Sequence, residues 1–424
     1  MSQKIKRFFY FAVAWYFRIF AEIKLRRWNP RIIVITGSSG KTTLLHLIES
    51  QLGKMAKYSH HANSSIGIPF DILGLQRVSL TVDEWPGLFL SAPFKAFSRI
   101  PSEKIYIVEA DCDRPNEGNF LSSFLIPEVT LWTNVSRTHS MNFDRLVRSG
   151  KFTDLEEAIA YEFGYFAEKT KSLVIANGDL SLIEKQLVRV KCKINRISSK
   201  ISLEKYEIGL VGTKFEFNKD KFTFPFLLPK ETATSILMCF NLLDYLGVKK
   251  NKEFSDLKLP PGRNSYFRGI KDITIVDSTY NANLDSMSAI VNMFGQIKSM
   301  DKIVVLGDML ELGSLEKEEH EKLADLIAEN GFKRIILMGP RVTKYTYPRL
   351  SGLIGSDADL EHFNNPKDVL DYLKKNIRGK EVILFKGARF LEGVIENLLE
   401  DKDDTKFLAR REKIWEIRRK KWDL

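Results

Sequence analysis

Cysteine is scarce in this 424-residue chain: there are three, Cys112, Cys192 and Cys239. They lie far apart and form no Cys-x-x-Cys pair. That excludes a disulfide framework and a cysteine-based zinc cluster, and it fits a reducing cytosol. Long apolar runs are missing too. The N-terminal run Phe8 to Phe17, FFYFAVAWYF, is stopped by Arg18, well short of the roughly 20 residues that span a bilayer. No Ala-x-Ala-like cleavage site follows it, as a signal peptide would need. There is no repeat of fixed period and no low-complexity segment. With 44% hydrophobic and 28% charged residues, a mainly disordered, collagen-like or fibrous chain is excluded.

Charge is plentiful but unevenly placed. The formal net charge is +11. Residues 1–31 hold eight Lys/Arg and one Glu (+7), and residues 401–424 hold nine Lys/Arg and six Asp/Glu (+3), leaving +1 for the 369 residues between. A nearly neutral body argues against a nucleic-acid partner. The aromatic, basic stretch 1–30 leaves three readings open. It is a helix packed on the body, a helix lying on an anionic membrane surface, or a true anchor.

Strand-like and helix-like segments alternate along the body. Residues 32–36 (IIVIT), 104–111 (KIYIVEAD), 129–136 (VTLWTNVS) and 172–179 (SLVIANGD) are short apolar runs separated by helical sequence. Such runs predict a mostly parallel sheet covered on both faces. KFEFNKDKFTFPF alternates instead and predicts a hairpin turning near Asn218–Lys219–Asp220. TSILMCFNLLDYLGV reads as a helix ending at Gly247, and LPPGRN (259–264) breaks the pattern. ITIVDS, KIVVLGD, RIILMG and EVILFKG then restart it. The fold expected is α/β, with an N-terminal helix (1–30), a P-loop central domain (31–261), a Rossmann-like C-terminal α/β domain (262–400) and a charged helical tail (401–424).

The sharpest local signal is Gly37-Ser38-Ser39-Gly40-Lys41-Thr42-Thr43, set between a strand and a helix. Backbone N–H groups of such a turn approach phosphate oxygens, and the helix N-terminus adds partial positive charge. Lys41 is placed to reach the β/γ phosphates and Thr42 to offer its hydroxyl to Mg²⁺. The loop is shorter than the common P-loop, because position 35 is Ile where GxxxxGK[ST] needs Gly.

That shorter loop resembles the Mur ligases, ATP-dependent enzymes that add amino acids to a cell-wall precursor. NSSIGIPF (63–70) and TNVSRTH (133–139) resemble two further segments of the family. DSTYNANLDSM (277–287), LGDMLELG (306–313) and KGAR (386–389) resemble the subgroup that adds D-alanyl-D-alanine to the muramyl tripeptide. The likeness covers roughly residues 30–400.

The resemblance implies ATP and Mg²⁺ as cofactors, and a carboxylate activated as an acyl phosphate before an amine attacks. It implies that Glu109 and His139 ligate a second Mg²⁺, with Asn63 helping to position phosphate or metal. Taken alone, Glu109 reads equally as a solvated strand end, and His139 as a surface or capping histidine. Arg263, Asp277, Asn281 and Asn283 are implied to meet the nucleotide, Asp277 at the ribose. By themselves the two asparagines would be an ordinary turn. Lys386 and Arg389 are implied to face the incoming amino substrate. The two domains are expected to close over ATP. His320, on a charged helix, is expected at the surface.

Two departures stand out. Only the short aromatic helix precedes the phosphate loop, so the family's N-terminal uridine-nucleotide domain is expected to be lacking. The family's carbamylated lysine aligns with Phe163, and no lysine lies between Lys151 and Lys169. Neighbouring Glu162 is the candidate stand-in, although one helical residue turns a side chain by about 100°. The expected partners are a muramyl-peptide-like substrate and D-alanyl-D-alanine or an amino acid, in the cytoplasm or at the inner membrane face. Alternatives are a ligase on a folylpolyglutamate- or pseudomurein-like scaffold, or a nucleotide-binding scaffold without catalysis.

Overall fold

The structure is a computed structural model describing residues 3–422 except 61, 79, 80, 139, 300 and 389, with side chains described from Phe9 onward, Val82 excepted. The chain divides into two units, Met1–Ser202 with Thr232–Lys258, and Leu203–Glu231 with Leu259–Leu424.

The first unit is built on six parallel strands. These are β1 (Arg31–Thr36), β2 (Ala56–Tyr58), β3 (Ile105–Ala110), β4 (Val129–Trp132), β5 (Leu173–Asn177) and β6 (Lys193–Ile197). They stand in the order β2-β3-β1-β4-β5-β6. Strands β4 and β5 are buried along their whole length, and β1 and β3 beyond their first residue. Ile33, Val34, Ile107, Val108 and Leu131 sit there with almost no exposure. The chain runs from β1 to one side and returns to the other at β4, so the strand order reverses beside β1. Open α/β sheets bind ligands at such a reversal, outside the carboxyl ends of the strands.

Five helices of this unit matter below: α1 (Gln3–Trp28), α2 (Lys41–Leu52), α3 (Gly67–Leu73), α4 (Trp85–Phe97) and α5 (Glu117–Leu125). Helix α1 buries Ala14, Phe17, Ala21, Leu25 and Trp28, a stripe with the i, i+3, i+4 spacing of one helix face. It packs on α3 and α4. Tyr16 donates to Phe89 O at 2.8 Å, Trp28 Nε1 to Glu103 O at 2.6 Å, and Arg18 Nη1 to Phe120 O at 2.8 Å. Of the three readings of the N-terminal stretch, the packed helix is the one seen. Among the described residues, no helix is long and apolar enough to cross a membrane.

The second unit opens with a three-stranded antiparallel meander, β7 (Leu203–Gly209), β8 (Gly212–Phe217) and β9 (Asp220–Phe224). Its second turn falls at Asn218 and Lys219, with φ of 49° and 68°, the doubly left-handed backbone that tight hairpins require. Ile208 and Leu210 pack against the core of this unit, and Leu227 is buried in it. That core therefore gathers residues 203–231 with the C-terminal segment.

The main sheet contains β10 (Ser265–Arg268), β11 (Thr274–Ser278), β12 (Lys302–Gly307), β13 (Arg334–Met338), β14 (Asp359–Phe363) and β15 (Val382–Lys386). Its order is β10-β11-β15-β12-β13-β14, parallel except for β10. Two apolar cores cover its faces, one holding Val276, Met287, Phe294 and Leu306, the other Ile275, Val305, Phe385 and Val394.

The tail corrects an expectation. It is not one helix: a 3₁₀ segment, Lys402–Phe407, and a helix, Lys413–Lys420, flank a break at Leu408–Arg410. Leu408 and Ala409 are buried, and Arg410 takes a φ of 58°. Anchoring that apolar pair in the core turns the chain and ends helical continuity.

Candidate active site

The loop after β1 and the end of β3 meet at the carboxyl edge of the first sheet. Gly37 has a φ of 126°, and a Cβ there would stand 2.4 Å from Thr133 Oγ1 and 2.8 Å from Asn134 O. Only glycine allows both that backbone and that approach. The segment after β4 braces the loop. Ser38 N donates to Asn134 O at 3.3 Å, Ser39 N to Asn134 Oδ1 at 2.8 Å, and Ser38 Oγ to Ser136 O at 3.1 Å. Thr133 Oγ1 donates to Ser39 O at 2.7 Å. The TNVS segment is thus the splint that shapes the phosphate turn.

Gly40, at φ 79°, precedes the first residue of α2. Lys41 is buried, with its Nζ 2.9 Å from Asp111 Oδ2 and hydrogen-bonded to Gly37 O. Burial works against the charge of Lys41, but the carboxylates of Asp111 and Glu109 outweigh it and raise the lysine pKa. The ammonium therefore stays charged in the fold's interior. Thr42 Oγ1 donates to Glu109 Oε2 at 2.9 Å. Glu109 is 9% exposed, and its backbone N–H donates to Ser59 Oγ at 2.9 Å. A solvated strand end would show neither feature.

Gly37 through Thr42 and Glu109 therefore come together, with Thr43 half-buried one residue along α2. His139 lies outside the described residues. Asn63 is exposed, and its backbone carbonyl accepts from Asp111 N at 2.8 Å. Asp111 and Ser59 belong to this cluster and were missed. Asp111 was legible, since it lies two residues beyond Glu109 and residues i and i+2 share one face of an extended chain. Ser59 carries no such mark.

Glu162, the candidate stand-in for the carbamylated lysine, is engaged at α5. Its carboxylate accepts from Asn116 N at 2.7 Å and Gly118 N at 3.2 Å, so it caps the N-terminus of α5. Phe163 is 1% exposed and belongs to the core.

In the second unit a second cluster forms after β11 and β15, whose ends pair Ser278 with Lys386. Asp277 is fully buried. Its Oδ1 accepts from Thr279 N at 2.9 Å and Thr279 Oγ1 at 2.6 Å, while Oδ2 has no hydrogen-bond partner among the described residues. Burial pushes the Asp277 carboxyl up to about 6 against the Thr279 hydrogen bonds. Lys386 is buried, its Nζ donating to Asn281 O at 2.9 Å. Burial, reinforced by Arg263, lowers the Lys386 pKa to about 7, with Asp277 opposing. The Arg263 guanidinium lies 4.6 Å from the Tyr280 ring centroid. Asn281 is exposed and its Oδ1 accepts from Ala282 N at 2.8 Å. Asn283 Oδ1 caps the helix Leu284–Gln296 through Ser286 N at 2.8 Å, in a reciprocal capping box. Arg389 lies outside the described residues. The tail supports this loop: Arg410 donates to Thr279 O at 3.2 Å and Tyr280 O at 2.8 Å.

His320 is a correction. It is fully buried, with Nδ1 2.7 Å from Glu316 O and Nε2 accepting from Met309 N at 3.2 Å. Burial lowers its pKa, and these partners fit a neutral ring with the proton on Nδ1. The charged sequence around it marks the helix's outer face; His320 takes the inner one. Asp308 of the same GDMLELG segment accepts from Arg341 N and Val342 N, each at 3.0 Å. That motif is the packing hub of the second unit.

Residues 262–389 match the Mur ligase, glutamate ligase domain. The chain is a relative of the Mur ligases. It is 24% identical over 399 residues to the UDP-N-acetylmuramoyl-tripeptide–D-alanyl-D-alanine ligase of Bacillus subtilis, covering 90% of this chain and 78% of that one. The enzyme of the same name from Borreliella burgdorferi is 26% identical, covering 87% and 74%. Among solved structures, MurF ligase from Thermotoga maritima in complex with ADP superposes with a TM-score of 0.70 at 20% identity, over 90% of this chain and 82% of that one. MurF from Acinetobacter baumannii gives 0.70 at 19%, over 90% and 79%. These likenesses carry the α/β architecture with a mostly parallel sheet in each unit.

Proposed function

We propose that this Mur ligase relative is an ATP-dependent amide-bond ligase of cell-wall precursor synthesis. It takes the γ-phosphoryl group of ATP onto a muramyl-peptide carboxylate. The amine of D-alanyl-D-alanine or an amino acid then attacks the acyl phosphate, and phosphate leaves. The carrying observation is the buried Lys41, kept charged by Asp111 and Glu109 beneath a loop of backbone N–H groups. Such a fixed cation suits charge that crowds as phosphoryl oxygens approach, at little reorganisation cost. Asp277 Oδ2, buried and without a partner among the described residues, is suited to accept from a ribose hydroxyl. Lys386 and Arg389 are assigned to the amino substrate, and Arg263, Asn281 and Asn283 to the nucleotide.

The oxygen pair of Thr42 and Glu109, 2.9 Å apart, is the hard donor set that Mg²⁺ prefers. Thr42 would hold one Mg²⁺ and Glu109 with His139 a second, and these ions would supply charge neutralisation to the phosphates. The test is phosphate release from ATP by the purified chain, with and without muramyl tripeptide plus D-alanyl-D-alanine. Release that needs both substrates supports the reading; release indifferent to them counts against it. One observation favours a second reading, a nucleotide-binding scaffold without turnover. Phe163, in the core, holds the place of the missing lysine, and the neighbouring Glu162 caps α5. ATP binding with no release under any substrate would select it.

A surface strip on α4 supports a finer location. Leu90, Phe94 and Phe97 are 72%, 79% and 67% exposed and lie in one strip of that helix. Exposed Lys95, Arg99, Arg26 and Arg27 surround its C-terminal end, and the Arg27 guanidinium sits 5.8 Å from the Phe97 ring. An apolar strip with a basic rim complements an anionic lipid surface. We propose that the chain works in the cytoplasm with this strip resting on the inner face of the membrane. Sedimentation with anionic vesicles, weakened by salt and by Phe94→Ser, supports this; no binding by the parent refutes it.

A further inference from the structure

A second group of ligating side chains, none of them used above, lies on the first unit. His46 and Glu49 are three residues apart on α2, so they share one face of the helix. His60 follows β2. The Glu49 carboxylate lies between the two imidazoles: Oε2 is 3.2 Å from His46 Nδ1, and Oε1 is 3.0 Å from His60 Nε2. One ligating atom from each residue falls within 4.8 Å of the others. The two rings stack with centroids 5.2 Å apart and planes 28° from parallel.

These spacings suit a shared ion. Zinc bonds to imidazole nitrogen and carboxylate oxygen at about 2.0–2.2 Å. Around a tetrahedral centre, that puts ligand atoms roughly 3.3 Å from one another. Each imidazole nitrogen stands within a few tenths of that value from one of the two Glu49 oxygens, and small side-chain adjustments bring the set, now within 4.8 Å, onto one ion.

The supports are rigid. Tyr58 pairs with Ile107 in the sheet, Ser59 N donates to Ile107 O at 3.1 Å, and Tyr58 OH donates to Gly53 O at 2.8 Å. The ligand chemistry discriminates between ions, because two imidazoles and one carboxylate suit zinc, whereas Mg²⁺ prefers oxygen throughout. The side chains are 15%, 34% and 35% exposed for His46, Glu49 and His60. Each side chain thus keeps some contact with water.

We propose that His46, Glu49 and His60 form a zinc site that ties α2 to the segment following β2. That segment carries Ser59, which holds the backbone of Glu109. An occupied site would therefore stiffen the floor beneath the phosphate loop. The inference needs no ligase activity and does not rest on that reading.

The experiment is equilibrium dialysis of the full chain against ZnCl₂ in excess Mg²⁺, together with thermal unfolding at each zinc level. The parent takes up one zinc per chain and gains Tm with it. His46→Ala and His60→Ala each weaken uptake at least about tenfold, as loss of about 1.4 kcal/mol or more would do, and lose the zinc-dependent rise in Tm. Circular dichroism and the zinc-free Tm of each variant, matching the parent's, establish that it folds. A parent that takes up no zinc, or one whose uptake both variants retain, overturns the site.

Discussion

Replacing Asp277 with asparagine separates the cost of this carboxylate from its use. The side chain is fully buried, and burial pushes its pKa from 3.8 to about 6. A carboxyl whose folded pKa is raised binds its proton more tightly in the fold than in the unfolded chain. Stability from this group is therefore complete below about pH 3.8 and is lost as pH rises through about 6. Above that, the ionised form costs the 2.2-unit shift, about 3 kcal/mol. Asparagine keeps an oxygen for Thr279 N and Oγ1 but adds an amide where Oδ2 has no partner, a cost of about 1–3 kcal/mol. That cost does not depend on pH, so the difference between parent and variant isolates the carboxylate. Between pH 4.5 and 7.5, Asp277→Asn gains about 2 kcal/mol on the parent. For a unit of this size that is roughly 4–8 °C in Tm. Differential scanning calorimetry without nucleotide, stepped through that range, reads it. A difference in Tm that stays constant from pH 4.5 to 7.5 would refute the reasoning. ATP binding by the variant weakens even where its stability improves.

Three further substitutions are informative. Lys41→Ala lowers turnover at least about a hundredfold in protein shown by circular dichroism to be folded; unchanged turnover removes the phosphoryl-transfer site. Lys386→Met works with the opposite sign, because the folded pKa of about 7 lies below the ordinary lysine value of 10.5. The parent therefore gains about 2 kcal/mol on the variant between pH 7 and 9, measured by urea unfolding, and a flat difference would contradict the burial argument. Trp28→Ala removes the buried foot of α1 and costs about 3–5 kcal/mol in the same assay, whereas a loss below about 1 kcal/mol would mean that α1 is not part of the core.

The central strands were legible because burial on both faces leaves a near-continuous apolar run, as in IIVIT, IYIVEA and VILFK. The edge strands were not. Both β6 (KINRI) and β14 (DLEHF) are partly exposed along most of their length, so their sequences carry no such run. The glycine loop announced itself, because its backbone and its close approach to Thr133 and Asn134 demand particular residues. Asp277 and Lys386 were reached through family likeness; their burial, which sets their pKa values, is a property of packing. His320 misled because a charged helix was read by its outer face. The capping of α5 by Glu162 was not legible, because nothing in its own helix shows that α5 approaches so closely. Helix α1 was ambiguous for a related reason: an aromatic stripe fits a protein core or a lipid surface equally, and the choice is made by α3 and α4.

The most direct test of carboxylate activation follows oxygen. Muramyl tripeptide carrying ¹⁸O in its terminal carboxylate is incubated with ATP, Mg²⁺, D-alanyl-D-alanine and the full chain, and the released phosphate is analysed by mass spectrometry. If the chain forms an acyl phosphate, each turnover yields the amide and one phosphate carrying a single ¹⁸O from the carboxylate. Phosphate released without ¹⁸O would mean that water, not the carboxylate, receives the phosphoryl group, and would contradict the account.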